Sequence, residues 1–169
     1  RYVEEHEPDA VERNLDLLAH HYWLGDDAAK RREYLVRAGR AAQANYANAA
    51  AIVYFERAAP LLEGTDRWEV TRCLGEALEV TGDWPTAERA YRDALALTDG
   101  MSDAAAAGWT EVALADLARK RGAYDEASTW LARARDRFDG LDDRVGQGRV
   151  LQVQGTVAAT RGDFGVART

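Results

Sequence analysis

The sequence predicts an all-α fold, an α-solenoid built of antiparallel helix pairs. Three observations carry that prediction. A tripeptide of glycine, a small or acidic residue and an aromatic one recurs as Gly82-Asp83-Trp84, Gly122-Ala123-Tyr124 and Gly162-Asp163-Phe164, at a constant step of 40 residues. Gly75, Ala115 and Gly155 keep the same step upstream of it, and Ala87, Ala127 and Ala167 keep it downstream. Finally, apolar residues follow the helical period almost throughout, and no segment sustains the alternation of a strand. Self-similarity at a fixed period of this length marks stacked supersecondary units, each covering its neighbour's apolar face.

The elements follow from spacing and breakers, which give about nine helices. The first runs near Pro8 to Trp23 and stops at Leu24-Gly25-Asp26. The second runs near Ala28 to Gln43 and the third near Ala47 to Glu63. Pro60 lies inside the third, where its missing amide cannot bond the Glu56 carbonyl, so the helix should bend or end early. Later helices span Arg67–Thr81, Pro85–Thr98, Asp103–Arg121, Tyr124–Phe138 and Asp143–Arg161, and a ninth starts near Asp163. Pro85 falls in a first helical turn, which has no amide bond to lose. Gly64, Gly100 and Gly140 follow alternate helices and are expected to end them in the left-handed conformation. Short connections force neighbouring helices to run antiparallel. The expected pairs are Ala28–Gln43 with Ala47–Glu63, Arg67–Thr81 with Pro85–Thr98, and Asp103–Arg121 with Tyr124–Phe138. Residues 1–26 read as an N-terminal capping helix. Residues 27–169 read as repeats at 28–64, 65–100, 101–140 and 141–169, with nothing to suggest a domain boundary among them.

Composition narrows the function classes. The 169 residues are 47% hydrophobic and 30% charged, which fits a folded chain. The net charge of −7 opposes general nucleic-acid binding, which needs a basic face to displace counterions. No apolar run reaches membrane-spanning length and no signal-peptide pattern opens the chain. Cys73 is the sole cysteine, which excludes an intrachain disulfide and suits a reducing, cytoplasmic compartment. Lysine occurs only at 30 and 120 and isoleucine only at 52, as codon bias in a GC-rich bacterial genome would produce. The chain opens at Arg1 without methionine and stops at Thr169 inside a repeat, so it is expected to be part of a longer polypeptide.

The repeat columns sharpen the reading. One unit carries Leu74-Gly75, Leu78, Gly82-Asp83-Trp84, Ala87, Tyr91 and Ala94. The next carries Leu114-Ala115, Ala118, Gly122-Ala123-Tyr124, Ala127, Leu131 and Ala134, and a further one begins with Gly155, Ala158, Gly162-Asp163-Phe164 and Ala167. Upstream, Ala38-Gly39, Ala42, Ala51, Phe55 and Ala58 form a first unit at a step of 36. This pattern resembles the tetratricopeptide family from about Leu35 onward. A small residue on helix A (Gly39, Gly75, Ala115, Gly155) faces a small one on helix B (Ala51, Ala87, Ala127, Ala167), which lets the backbones approach. The larger residue one turn on (Phe55, Tyr91, Leu131) fills the gap toward the next unit. The later units exceed the family's usual ~34 residues, with the excess at residues 99–103 and 139–143. The longer form is similar to repeats of bacterial regulatory ATPases and transcription activators. The stretches Leu17-Leu18-Ala19-His20-His21-Tyr22, Tyr34-Leu35-Val36-Arg37-Ala38-Gly39 and Tyr54-Phe55-Glu56-Arg57-Ala58 resemble large bacterial signalling proteins, in which a P-loop ATPase precedes such repeats, often with an adenylyl-cyclase domain in front.

No catalytic motif accompanies the repeats. A P-loop needs Gly-Lys-Ser/Thr, and Lys30 follows Ala29 while Lys120 follows Arg119. His20 and His21 are adjacent, so their side chains diverge by about 100° instead of sharing a metal at helical i, i+4 spacing; one is expected to be packed and the other solvated, and His6 is too distant in sequence to join them. Asp26-Asp27 and Asp142-Asp143 stand at helix starts, where carboxylates cap free amides. Cys73 reads as a packed thiol. No cofactor is implied.

The resemblance implies a concave groove lined by helix A residues that bind a protein or peptide partner. By register these are Glu33, Val36, Arg40 and Gln43, then Glu69, Arg72, Glu76 and Glu79. Trp109, Val112, Asp116, Arg119 and Lys120 follow, then Arg149, Gln152 and Thr156. Arg40, Arg72, Glu76, Trp109, Asp116 and Arg119 are the leading candidates, with Trp109 as an exposed aromatic anchor. The family's Lys/Asn carboxylate clamp is not reproduced, since Glu76 stands where asparagine is expected. Leu151, Val153 and Val157 are expected to lack cover, and a second copy of the chain could supply it. The reading is a non-catalytic regulatory or interaction arm of a signalling ATPase; the alternative is a free-standing peptide-binding adaptor.

Overall fold

The computed structural model describes residues 14–162, and among these every regular element is a helix. The chain divides into two compact units, Arg1–Asp83 and Trp84–Thr169, which places the two helices of the 65–100 repeat in different units. The start of the first expected helix and all of the ninth lie outside the described residues.

In the first unit, α1 (Leu15–Leu24), α2 (Ala28–Ala44), α3 (Asn48–Ala58) and α4 (Gly64–Thr81) pack in chain order, each on the next. The α1–α2 corner is tied by Arg31, whose guanidinium donates to the carbonyls of Tyr22, at 3.3 Å, and Gly25. Asp27 then caps α2 by accepting from the Lys30 amide at 3.0 Å. The Tyr22 and Tyr34 rings stack at 5.1 Å, and the Tyr54 hydroxyl donates to Asp16 at 3.2 Å, so α1 is anchored to both following helices. Leu35, Ala51, Phe55, Ala58, Val70, Cys73 and Ala77 form the core, joining α2, α3 and α4.

Phe55 shows why the small-residue column matters. A methyl carbon built on Gly39 would stand 2.5 Å from Cε1 of the fully buried Phe55 ring. Only glycine leaves room there. Phe55 therefore packs against the helix A glycine of its own pair as well as reaching the α4 core residues.

Pro60 does what its missing amide dictates. Helix α3 ends at Ala58, and Ala59–Leu61 continue as a single 3-10 turn. Leu62 then turns extended, at φ −112° and ψ 160°. The expectation of helix to Glu63 thus gives way to the expected early end.

In the second unit, α5 (Trp84–Met101), α6 (Ala104–Lys120), α7 (Tyr124–Gly140) and α8 (Arg144–Arg161) pack successively, and α6 also touches α8. Ala115 and Ala127, the expected close pair, are both fully buried on the packed helices α6 and α7. The core is centred on Phe138, whose ring is clasped by glycines from both neighbours. A methyl carbon on Gly108 of α6 would come within 2.7 Å of Phe138 Cζ, and one on Gly146 of α8 would strike the same ring. The Asp103 carboxylate accepts from the Ala106 amide at 2.9 Å, and Asp143 accepts from both Val145 and Gly146 at 3.0 Å.

The left-handed residues correct one expectation. Gly82, Gly122 and Gly162 take positive φ at the end of helix A, as the recurring tripeptide needs. Gly100 and Gly140 do not. Both lie within the last turn of a helix, and the left-handed corners fall two residues later, at Ser102 (φ 52°) and Asp142 (φ 51°). Gly64 has positive φ but opens α4 instead of closing α3.

Candidate functional site

Helix A residues that the core does not consume gather on two faces, one in each unit. In the first unit, α2 and α4 flank a hollow of about 320 Å³. Its apolar floor is Val36, Val70 and Leu62, the last delivered by the break at Pro60. Arg32, Val36 and Arg40 follow one another at four-residue spacing, so α2 sets them along one stripe beside Glu33 and Arg37. Asp66 on α4 forms part of the opposite wall.

The charges along this face neutralise each other locally. Arg37 bonds Glu33 at 3.2 Å, and Arg40 reaches across to Glu69 at 2.9 Å. Arg72 pairs with Glu76, and Gln43 donates to the same carboxylate at 3.3 Å. The Arg72 guanidinium lies 5.7 Å from the Trp68 ring centroid, and its buried Nε has no hydrogen-bond partner. Cys73, beside Arg72, is enclosed. Burial pushes its thiol up to about 11, so almost no thiolate exists at neutral pH and the residue is packing, not nucleophile.

In the second unit α6 presents Asp116, which bonds Arg119 at 2.8 Å and Lys120 at 3.2 Å. Burial raises the Asp116 carboxyl, but the Arg119 bond and the Lys120 charge together outweigh it and leave the group below the usual aspartate range. Further along, Arg149 bonds Gln152 at 2.9 Å on the exposed side of α8.

Several expected residues stand differently. Trp109 is half-buried, not free, and its ring meets Phe138 edge-on at 5.3 Å. Val112 is a core residue, 3% exposed, and lines no groove. Both belong to the packed side of α6, where Trp109 meets the Phe138 ring. His20 and His21 are both exposed, against the expectation of one packed ring, and His21 rests edge-on against Tyr22. Among the described residues no three metal-ligating side chains converge. Val153 and Val157 are already buried, so of the three residues expected to need cover only Leu151 is open, at 63%.

Sequence reasoning missed Arg32, Arg37, Leu62 and Asp66 as parts of the hollow. The signal for Arg32 was present, one turn before Val36; Leu62 required knowing where the chain turns after Pro60. It also missed Glu111, 1% exposed, whose carboxylate accepts from Arg137 Nε at 2.9 Å.

Comparison with known proteins agrees with this architecture. Residues 69–139 match the tetratricopeptide repeat family. A putative kinesin light chain from Podosopora anserina with nearly identical TPR-like repeats superposes with a TM-score of 0.75, covering 99% of this chain and 85% of that one at 15% identity. A substituted form of the same protein gives 0.77 with the same coverage at 14% identity. A Rap protein complexed with Competence and Sporulation Factor gives 0.70 at 15% identity, covering 90% of this chain. This chain spans 46% of that Rap chain. No curated protein matches in sequence. The fold is thus an all-α solenoid of tetratricopeptide-like helix pairs.

Proposed function

We propose that this chain is the non-catalytic interaction arm of a bacterial, cytoplasmic multidomain signalling ATPase, engaging a protein or peptide partner through helix A faces. The observation that carries the reading is the hollow between α2 and α4. Its floor belongs to the core or packs on it, but Val36 and Leu62 stay partly open beneath a ring of charges and offer what a recognised side chain requires. Arg40, Arg72 and Glu76 on one unit and Asp116 and Arg119 on the other supply fixed hydrogen-bonding groups, and half-buried Trp109 adds the part of its surface that packing leaves open. The net charge of −7 supports a protein or peptide partner over nucleic acid, and no described helix is long and apolar enough to cross a membrane.

The test is made on the parent polypeptide, assayed for ATP hydrolysis with and without residues 27–169. A changed rate, or lost response to a signal, supports the arm. An unchanged rate from a well-folded truncation rejects it. The free-standing peptide-binding adaptor is the second reading, favoured by the likeness to a Rap chain solved with a bound factor; a parent without any ATPase domain selects it. Self-association through α8 around exposed Leu151 belongs to the same reading, and sedimentation of the chain beside Leu151→Asp checks it.

A further inference from the structure

We infer that the hollow between α2 and α4 seats one aliphatic side chain of a partner peptide that carries an acidic group on one side of it and a basic group on the other. The inference rests on the interaction role proposed above and names what that face selects.

The size comes first. At about 320 Å³ the hollow is at the small end of the ~300–1,000 Å³ range of ligand pockets, enough for one side chain and its flanking backbone. Its floor is aliphatic. Val70 is buried, while Val36 and Leu62 keep part of their surface open to the hollow, so an apolar group that covers them removes that surface from water.

The walls then decide charge. Arg37 and Arg40 are already engaged by Glu33 and Glu69. Of the charged residues that line the hollow, two exposed ones, Arg32 on the α2 wall and Asp66 on the α4 wall, have no ion pair or hydrogen bond to a side chain among the described residues. They are of opposite sign and stand on opposite sides of the floor. A uniformly acidic peptide satisfies Arg32 and is repelled by Asp66; a uniformly basic one meets the reverse. A segment with one charge of each sign satisfies both.

The 169-residue chain is titrated, by fluorescence anisotropy, with labelled peptides of equal length in both sequence orders. Their centres are leucine flanked by glutamate and lysine, by two glutamates or by two lysines, and alanine flanked by glutamate and lysine. An exposed ion pair changes affinity roughly two- to fivefold, so the mixed-charge leucine peptide should lead each like-charge peptide by about that factor. The alanine peptide should also bind more weakly. Arg32→Glu should move the preference to the two-lysine peptide, and Asp66→Lys to the two-glutamate peptide; both positions are exposed, and circular dichroism confirms that the variants fold. Equal affinity for all charge patterns, a ranking unmoved by both variants, or no binding overturns the inference. None of these results bears on the ATP-hydrolysis comparison, so the interaction-arm reading stands or falls separately.

Discussion

Gly108 and Gly148 occupy the same place, the fifth residue, in helices α6 and α8 of one unit. Replacing either with alanine removes the same helix penalty, about 0.8–1.0 kcal/mol. Their surroundings differ. Nothing lies within 4 Å of a methyl carbon at 148, whereas one at 108 would meet Phe138 Cζ at 2.7 Å, Cε1 at 2.9 Å and Cε2 at 3.1 Å. Carbon pairs settle near 3.5–4.0 Å, so ring or helix must move by about 1 Å. Phe138 is fully buried and Gly146 also approaches its ring closely, so the ring has little room to give. Overpacking of this kind costs about 1–3 kcal/mol. Gly148→Ala should therefore raise the melting midpoint by about 2–4 °C, and Gly108→Ala should leave it unchanged or lower it, the two variants differing by about 1–3 kcal/mol in urea denaturation. In a Phe138→Leu background the difference should shrink, because the planar obstacle is gone. If Gly108→Ala stabilises as much as Gly148→Ala, the clasp around Phe138 is not a constraint and the reasoning fails.

Three further outcomes follow from the same geometry. Asp143→Ala removes a cap that satisfies two amides and should cost about 1–2 kcal/mol, read as a lower urea midpoint; equality with the parent would show water replacing the cap. Arg137→Ala leaves the Glu111 carboxylate buried without its partner, a change that costs up to about 3–5 kcal/mol; the Glu111→Gln, Arg137→Met double variant should recover most of it in the same assay, and a double variant as unstable as the single would refute the pairing argument. The Asp116 carboxyl is held below its unfolded value by Arg119 and Lys120 against the opposing effect of burial. Its contribution is present above the ordinary aspartate value of about 3.9 and is lost as pH falls through the folded value. The stability gap between wild type and Asp116→Asn should be full at about pH 7 and close under strongly acidic conditions; a gap independent of pH would reject the assignment.

The helices were legible because repetition reinforced each weak local signal. Ala51, Ala87 and Ala127, and the larger Phe55, Tyr91 and Leu131, fall in columns, and all six are buried. The tripeptide glycines keep positive φ because nothing but the turn itself sets their conformation. Errors arose where a long-range partner decided. Gly100 and Gly140 lie in the last turns of helices that run to Met101 and Gly140, and the left-handed conformation expected of them passes to Ser102 and Asp142. Asp142 is a residue type that tolerates that region; serine has no such signature. Val112 and Trp109 were placed on a polar face because a helix's phase is uncertain by a residue, and one residue rotates a side chain by about 100°. The glycine clasp on Phe138 joins positions 108, 138 and 146, which lie on three helices and share no repeat column. The hollow depends on the path of the chain after Pro60, which local spacing does not encode.

The pairing of charges within each face has a kinetic consequence. Arg40 with Glu69, Arg72 with Glu76 and Asp116 with Arg119 and Lys120 leave short dipoles in place of a field of one sign. Such a surface exerts little pull beyond a Debye length of about 8 Å at physiological salt. A partner would meet it by unguided diffusion, at about 10⁵–10⁶ M⁻¹s⁻¹ and nearly independent of ionic strength. Discrimination among partners would then reside in how long each stays, so the lifetime of the complex, not the speed of capture, would set the signal.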